Sequence, residues 1–408
     1  YHTGWLKVHY TAEFFCANMT VEMDDTDKLK VLYEDARKNF KMEFEPPNIN
    51  RGRYRFEPVT NTVIRYGLGA VKGTGQQAIE AIVAAREGRG EGPRGATCGP
   101  FTSLFDFCVR VDRSKINKRT VDALIKAGAF DALDQHRGAL SASLDRAFDF
   151  STATLANLNQ GGLFDMMGED AHGSSTQEPD LVDVPPWGVR ERLMFEKSAL
   201  GFYLSGHLFD EAAREVGRFV RTRVGELNEG RETQTVAGIV SDLRVVNGQR
   251  GRQGIFQLDD GAGRVEASAS EAVITAFRDQ LKDDELVIVS GRLQPGRNGF
   301  EARFIVQQVM DLATARCRFG KYLRVAVGDK PPEVARLLRE FSPRRESTEQ
   351  GELQHGLRVR LGVRCTAGQE GAAAELQLSE AHRTYPTDAS LAAWRAQAAG
   401  GDAVVVYE

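Results

Sequence analysis

The stretch Val71-Lys72-Gly73-Thr74-Gly75-Gln76-Gln77-Ala78-Ile79 carries the residue types from which a phosphate site is made. Glycines at 73 and 75 permit backbone angles that a side chain forbids, so the spacing predicts a short hairpin opening a helix. The amides of Gly73, Thr74 and Gly75 are then expected to face outward at the positive end of the helix dipole. An anion is held there without regard to base identity. Lys72 places a mobile positive charge at the mouth. A second group, Arg113, Lys115, Asn117, Lys118 and Arg119, forms a cationic turn in which Asn117 is placed to cap the next helix. Two readings are open for that turn: a solvated connection between packed helices, or a second phosphate contact. No catalytic residues are expected in the chain.

These groups need helices behind them. Ala78, Ile79, Ile82 and Val83 fall on one helical face that packs inward. A helical pair is expected over 103–111 and 117–127, with the turn at 112–115. Upstream, residues 5–44 read as helical, with the acidic run Asp24-Asp25-Thr26-Asp27 as a cap and Pro46-Pro47 as a stop. A short strand is expected over 59–66. Residues 87–99, rich in Gly, Pro and Arg, read as a surface insertion.

After a helix at 140–150 the composition changes to Ser, Thr, Asn, Gly, Asp and Pro, which reads as a linker over 151–186. Inside it stands Gln160-Gly161-Gly162-Leu163-Phe164. Leu163 and Phe164 either dock on their own domain or fill an apolar pocket on a partner, with the Gln160 amide fixing register. A helix at 187–203 follows. Alternating or β-branched runs then predict strands at 235–240, 254–259, 265–269, 286–293 and 300–309, with a helix at 272–281. Five strands with a helix between the third and fourth describe an OB-fold barrel. Arg244, Arg250, Arg252 and Phe256 are its candidates for single-strand contact, with Phe256 equally open to a core role. Residues 318–408 alternate strands and helices as a small α+β module.

The 408 residues, 41% of them hydrophobic, suffice for two to four domains. No apolar run approaches the length of a membrane span, and no leader precedes the first helix. The opening Tyr1-His2-Thr3-Gly4-Trp5 reads as a cut inside a longer polypeptide. Five dispersed cysteines argue against a disulfide framework and for a reducing, cytoplasmic setting. Scattered histidines give little support to a metal centre. The net charge of −4 is unevenly spread: residues 65–130 hold eleven Lys/Arg against six Asp/Glu, and residues 165–210 hold three against nine. The basic block coincides with the hairpin, and local sign governs contact because screening removes charges beyond about 10 Å.

In this order, and through the strings Tyr10-Thr11-Ala12-Glu13-Phe14, Pro46-Pro47-Asn48-Ile49-Asn50, Gly67-Leu68-Gly69-Ala70-Val71-Lys72-Gly73, Lys126-Ala127-Gly128-Ala129-Phe130-Asp131 and Leu200-Gly201-Phe202-Tyr203-Leu204-Ser205-Gly206-His207, the chain resembles the C-terminal portion of the bacterial DNA polymerase III alpha subunits, replicative C-family polymerases. The resemblance implies a multidomain α+β fold. Residues 1–58 would end the polymerase fingers. Residues 59–168 would hold tandem helix-hairpin-helix units and the clamp-binding peptide, and residues 169–232 a linker with helices. An OB-fold β-barrel would occupy 233–312 and a small α+β domain that binds the clamp-loader tau subunit 313–408. Implied partners are double-stranded DNA, single-stranded DNA, the beta sliding clamp and tau, with no membrane. Gln160, Leu163 and Phe164 match the clamp peptide, with Gly161 and Gly162 as departures. The parent would be a DNA-directed DNA polymerase, a nucleotidyltransferase whose palm carboxylates hold two Mg²⁺. Those carboxylates are absent here, so no cofactor and no activity are expected of this piece. Rival readings are an NAD-dependent ligase-like protein, for which the required Lys-x-Asp-Gly string is missing, and a free-standing nucleic-acid adaptor.

Overall fold

A computed structural model describes residues 2–89, 98–164, 177–248, 251–296, 302–328, 331–348, 351–365 and 372–407. The chain forms two compact units, Tyr1–His207 and Leu208–Glu408. The insertion expected at 87–99 falls largely outside the described residues.

The first unit opens with α1 (His2–His9), α2 (Thr11–Val21) and α3 (Thr26–Phe40). Asp25 caps α3 by accepting from the Lys28 amide at 3.2 Å, so the acidic run works as a cap. Three short strands, β1 (Glu43–Glu45), β2 (Glu57–Pro58) and β3 (Val63–Arg65), form a sheet in the order β1-β3-β2. Then come a one-turn 3₁₀ helix (Leu68–Ala70), α4 (Gln76–Arg86), α5 (Leu104–Arg110), α6 (Lys118–Lys126), α7 (Arg137–Ala142), α8 (Leu144–Phe164) and α9 (Val189–Leu200). One hydrophobic core runs from Ala12 to Phe202 across the expected divisions at 58/59 and 168/169. The linker expected from 151 begins later: α8 continues as helix to Phe164. Its first half is held by Leu144, Ala147 and Phe148 in that core, and packing there overrides the polar composition of its second half.

The second unit begins with α10 (Asp210–Val216) and then closes a barrel from β4 (Gln234–Gly248), β5 (Gly251–Asp259), β6 (Arg264–Ser270), β7 (Leu286–Gln294) and β8 (Arg303–Met310), with α11 (Glu271–Ala276) between β6 and β7. The ring order β4-β5-β6-β8-β7, with β6 and β8 parallel, is that of an OB-fold. Helix α12 (Leu312–Phe319) leads to β9 (Tyr322–Val327), α13 (Val334–Glu340), the hairpin β10 (Arg344–Thr348) and β11 (Gly351–His355), β12 (Leu357–Cys365), β13 (Ala372–Gln377), β14 (Arg383–Thr384), α14 (Asp388–Gln397) and β15 (Ala403–Val406). A sheet in the order β13-β12-β9-β15 packs one face on Leu337, Leu391 and Trp394.

A charged cluster ties this module to α10. The Arg316 guanidinium donates to both carboxylate oxygens of Glu215, at 2.8 and 2.7 Å, and to Asp388 at 2.7 Å. Burial alone would push the Glu215 carboxyl up, but Arg316 and the Tyr407 hydroxyl outweigh it and hold the carboxyl below the usual range. A depressed folded-state value adds stability above the unfolded value that is lost as pH falls. The melting temperature should therefore drop on acidification below about pH 4.5. Glu215→Gln should lower it at neutral pH and flatten that acid limb. An acid limb identical in the variant would remove Glu215 from the account.

Candidate nucleic-acid interface

The first hairpin is fixed by what it spends on itself. The Thr74 amide donates to Val71 carbonyl at 3.2 Å, and its hydroxyl donates to Val71 and Leu68 carbonyls at 2.7 and 3.0 Å. The Lys72 amide donates to the Ala199 carbonyl at 2.8 Å, which pins the turn to the end of α9. Thr74 is thus a turn-tightener and its amide is not outward, contrary to expectation, because closing so tight a turn consumes it. The amides of Gly73, Gly75, Gln76 and Gln77 have no hydrogen-bond partner among the described residues. These open donors, two of them unforeseen, sit at the start of α4. Only Gly73 needs its glycine for conformation, with φ +80°. Gly75 has φ −80° and ψ 155°, which any residue adopts, and a Cβ there would meet nothing within 4 Å.

This separates two reasons for a glycine. Gly75 is the N-cap of α4, where alanine is the poorer residue, so Gly75→Ala should still fold at a cost of about 1 kcal/mol. If a phosphate approaches this backbone closely, the same change should weaken duplex binding several-fold in fluorescence anisotropy. Unaltered affinity would mean that the glycine is not a point of approach.

The second hairpin repeats the design. Asn117 caps α6 by accepting from the Thr120 amide at 2.9 Å, as expected. Asp112 holds the turn, its carboxylate accepting from the Ser114 amide at 2.9 Å and its carbonyl from the Lys115 amide at 3.1 Å. Ile116 and Val121 are buried beneath. The Thr120 hydroxyl donates to the Gly73 carbonyl at 3.4 Å, joining the two turns. Between them lies a cleft of about 620 Å³, lined by Gly73, Gly75, Gln76 and Gln77 on one side and Lys115, Asn117 and Thr120 on the other. Two helix starts therefore share one opening, with their dipoles' positive ends toward it. Glu80 also lines it, its carboxylate accepting from the Gln76 side chain at 2.7 Å.

The cations divide into free and engaged. Lys72, Lys115 and Arg119 are exposed and have no ion-pair partner among the described residues. Lys118 is exposed but pairs with Asp145 on α8. Arg113 is withdrawn from the surface role expected of it. Its guanidinium donates to the Phe148 carbonyl at 2.8 Å and to the hydroxyls of Ser151 and Thr152, and lies 4.4 Å from the Phe148 ring centroid. It staples the turn to α8.

The other expected contacts are more scattered. Phe256 is 1% exposed and belongs to the barrel core, because alternation along β5 turns Gly254, Phe256 and Leu258 inward, so it offers no stacking platform. Arg244 and Arg252 are exposed, and Arg250 lies outside the described residues. The backbone of Gln160, Leu163 and Phe164 forms the end of α8, and their side chains lie outside those described. Among the described residues no group of three or more His, Cys, Asp or Glu is placed to hold a metal, and no helix is long and apolar enough to cross a membrane.

Residues 41–140 match the helix-hairpin-helix motif family, and residues 234–312 match the OB-fold nucleic acid binding domain family. The DNA polymerase III subunit alpha of Neisseria meningitidis serogroup B is 42% identical over 329 residues, which cover 80% of this chain and 27% of that protein. The same subunit of Vibrio cholerae serotype O1 is 38% identical over 330 residues, 80% of this chain and 28% of that protein. The Escherichia coli O6:H1 subunit is 34% identical over 355 residues, 85% of this chain and 30% of that protein. The chain thus spans less than a third of the length of these curated relatives. The second OB-fold domain of replication protein A from Methanococcus maripaludis is similar over 22% of this chain and 95% of its own, at 16% identity and a TM-score of 0.18, too slight a likeness to argue from. With paired helix-hairpin-helix units followed by an OB barrel, and this level of identity across four-fifths of its length, the chain belongs to the bacterial DNA polymerase III alpha subunit family and fits its C-terminal portion.

Proposed function

We propose that this chain is the gripping and tethering part of a replicative DNA polymerase. The observation that carries the reading is the shared cleft, where open amides at the start of α4 face Lys115 and the start of α6, with Lys72 and Arg119 exposed on the same two turns. Such donors neutralise phosphates and ignore sequence, which suits duplex product moving through a polymerase. The OB barrel makes a weaker, salt-sensitive contact to single-stranded template through Arg244 and Arg252. Gln160, Leu163 and Phe164 dock in the beta sliding clamp, and the C-terminal module binds the clamp-loader tau subunit. Because the clamp already encircles the same DNA, a modest peptide contact becomes persistent through effective concentration, a gain of about 10²–10⁴ in apparent affinity.

Nucleotidyl transfer belongs to palm carboxylates and two Mg²⁺ outside these 408 residues, and the chain alone should not extend a primer. The deciding experiment measures binding to duplex, primed and single-stranded DNA, each with and without clamp. Leu163→Ala with Phe164→Ala should abolish the clamp-dependent complex and leave duplex affinity intact. Equal loss of both would overturn the division of labour.

A further inference from the structure

The C-terminal sheet turns two unlike faces. Side chains alternate along strands, and the core takes Leu323 and Val325 from β9, Leu357 and Val359 from β12, and Val405 from β15. The residues between them, Tyr322, Arg324, Arg358 and Arg360, stand on the opposite face. The parallel register sets Tyr322 beside Arg358 and Arg324 beside Arg360, and Arg383 of β14 is paired beside Arg358. The side chains of Arg324, Arg358 and Arg360 remain 45%, 42% and 33% exposed. The Arg360 guanidinium carbon lies over the Tyr322 ring, 3.8 Å from its centroid.

We propose that this outer face is a platform for single-stranded nucleic acid, additional to the hairpin cleft and the barrel. A base stacks on the Arg360–Tyr322 pair, since guanidinium planes and aromatic rings both accept a base face. Phosphates are taken by Arg324 and Arg358. Those arginines are now met by carboxylates: Asp402 at 3.6 Å from Arg324, Glu380 beside Arg358, and Glu375 at 3.8 Å from Arg360. Pairs this exposed contribute little in water, so a phosphate displaces them cheaply. An acidic peptide would satisfy the arginines but leave the Arg360–Tyr322 pair unused, which favours the nucleic acid.

The test is photo-crosslinking of the 408-residue protein to oligo(dT) containing 5-iodouracil, with the labelled peptides mapped by mass spectrometry. The expected result is labelling of the peptide that contains Tyr322. Arg360→Ala, a change that leaves the core untouched, should reduce that labelling about tenfold while labelling of barrel peptides persists. Labelling confined to barrel and hairpin peptides would overturn the proposal. So would displacement of the strand from Tyr322 by poly-glutamate as effective as by unlabelled oligo(dT), which would assign the face to acidic peptides.

Discussion

Replacing Lys115 and Arg119 together by glutamate should weaken duplex binding on the order of tenfold or more and reduce the slope of log affinity against log salt by about 2. Lys115 lines the shared cleft, and Arg119 stands in the first turn of α6. Neither has an ion-pair partner among the described residues, so whatever they contribute is available to an incoming phosphate. Both are exposed, so the melting temperature should hardly move, surface changes of this kind costing within about 0.5 kcal/mol. Arg113→Ala offers the contrast. Its guanidinium is spent on Phe148, Ser151 and Thr152, so stability should fall while the salt slope stays near that of the natural protein. A salt slope unchanged by the double glutamate would make the second turn a structural connection and leave the cleft without its cationic wall.

The second large effect lies in the core. Glu196 is 1% exposed, and one carboxylate oxygen accepts from the amides of Leu204 and Ser205 at 2.7 and 2.8 Å. The other meets Arg137 at 3.4 Å, and Arg137 is itself 8% exposed and bonded to Asp131 at 2.6 and 2.8 Å. Removing Glu196 leaves Arg137 with its Asp131 partner but takes the shared acceptor from the amides of Leu204 and Ser205. Glu196→Ala should cost about 2–3 kcal/mol and Glu196→Gln less. Hydrogen exchange at the amides of Leu204 and Ser205 is the local readout, and protection undiminished in Glu196→Ala would contradict the assignment. Duplex binding should weaken too, because α9 supplies the carbonyl that fixes the first hairpin.

Local signals were the most legible. Asp25, Asn117 and the apolar stripe of α4 act through neighbours a few residues away, and the barrel strands announce themselves by alternation. The two hairpins could be read as separate turns, but nothing in the spacing joins them, since the Thr120–Gly73 bond spans 47 positions. The same limit hid the role of Arg113, whose partners lie 35 to 39 residues away. Residues 151–164 depart from expectation for a related reason: polar composition argues for a linker, yet α8 is anchored by Leu144, Ala147 and Phe148 packed in the core and continues as helix to Phe164. Thr74 misled because sequence shows a donor without showing which acceptor the turn brings near. In the C-terminal module the hairpin of β10 and β11 was not foreseen; it packs outside the main sheet and its residues, Arg344-Arg345-Glu346-Ser347-Thr348, lack an apolar alternation.

The bond from the Lys72 amide to the Ala199 carbonyl redraws the smallest piece of this protein that can be expected to work in isolation. The stretch recognisable as helix-hairpin-helix stops at residue 140, yet the brace for its first turn arrives well beyond that border, on a helix that Glu196 and Arg137 lock in place. A graft cut at the recognisable borders would carry both turns and lose the strut. To transplant the grip, one must carry residues through at least 205, and the intervening stretch becomes part of the device rather than its packaging.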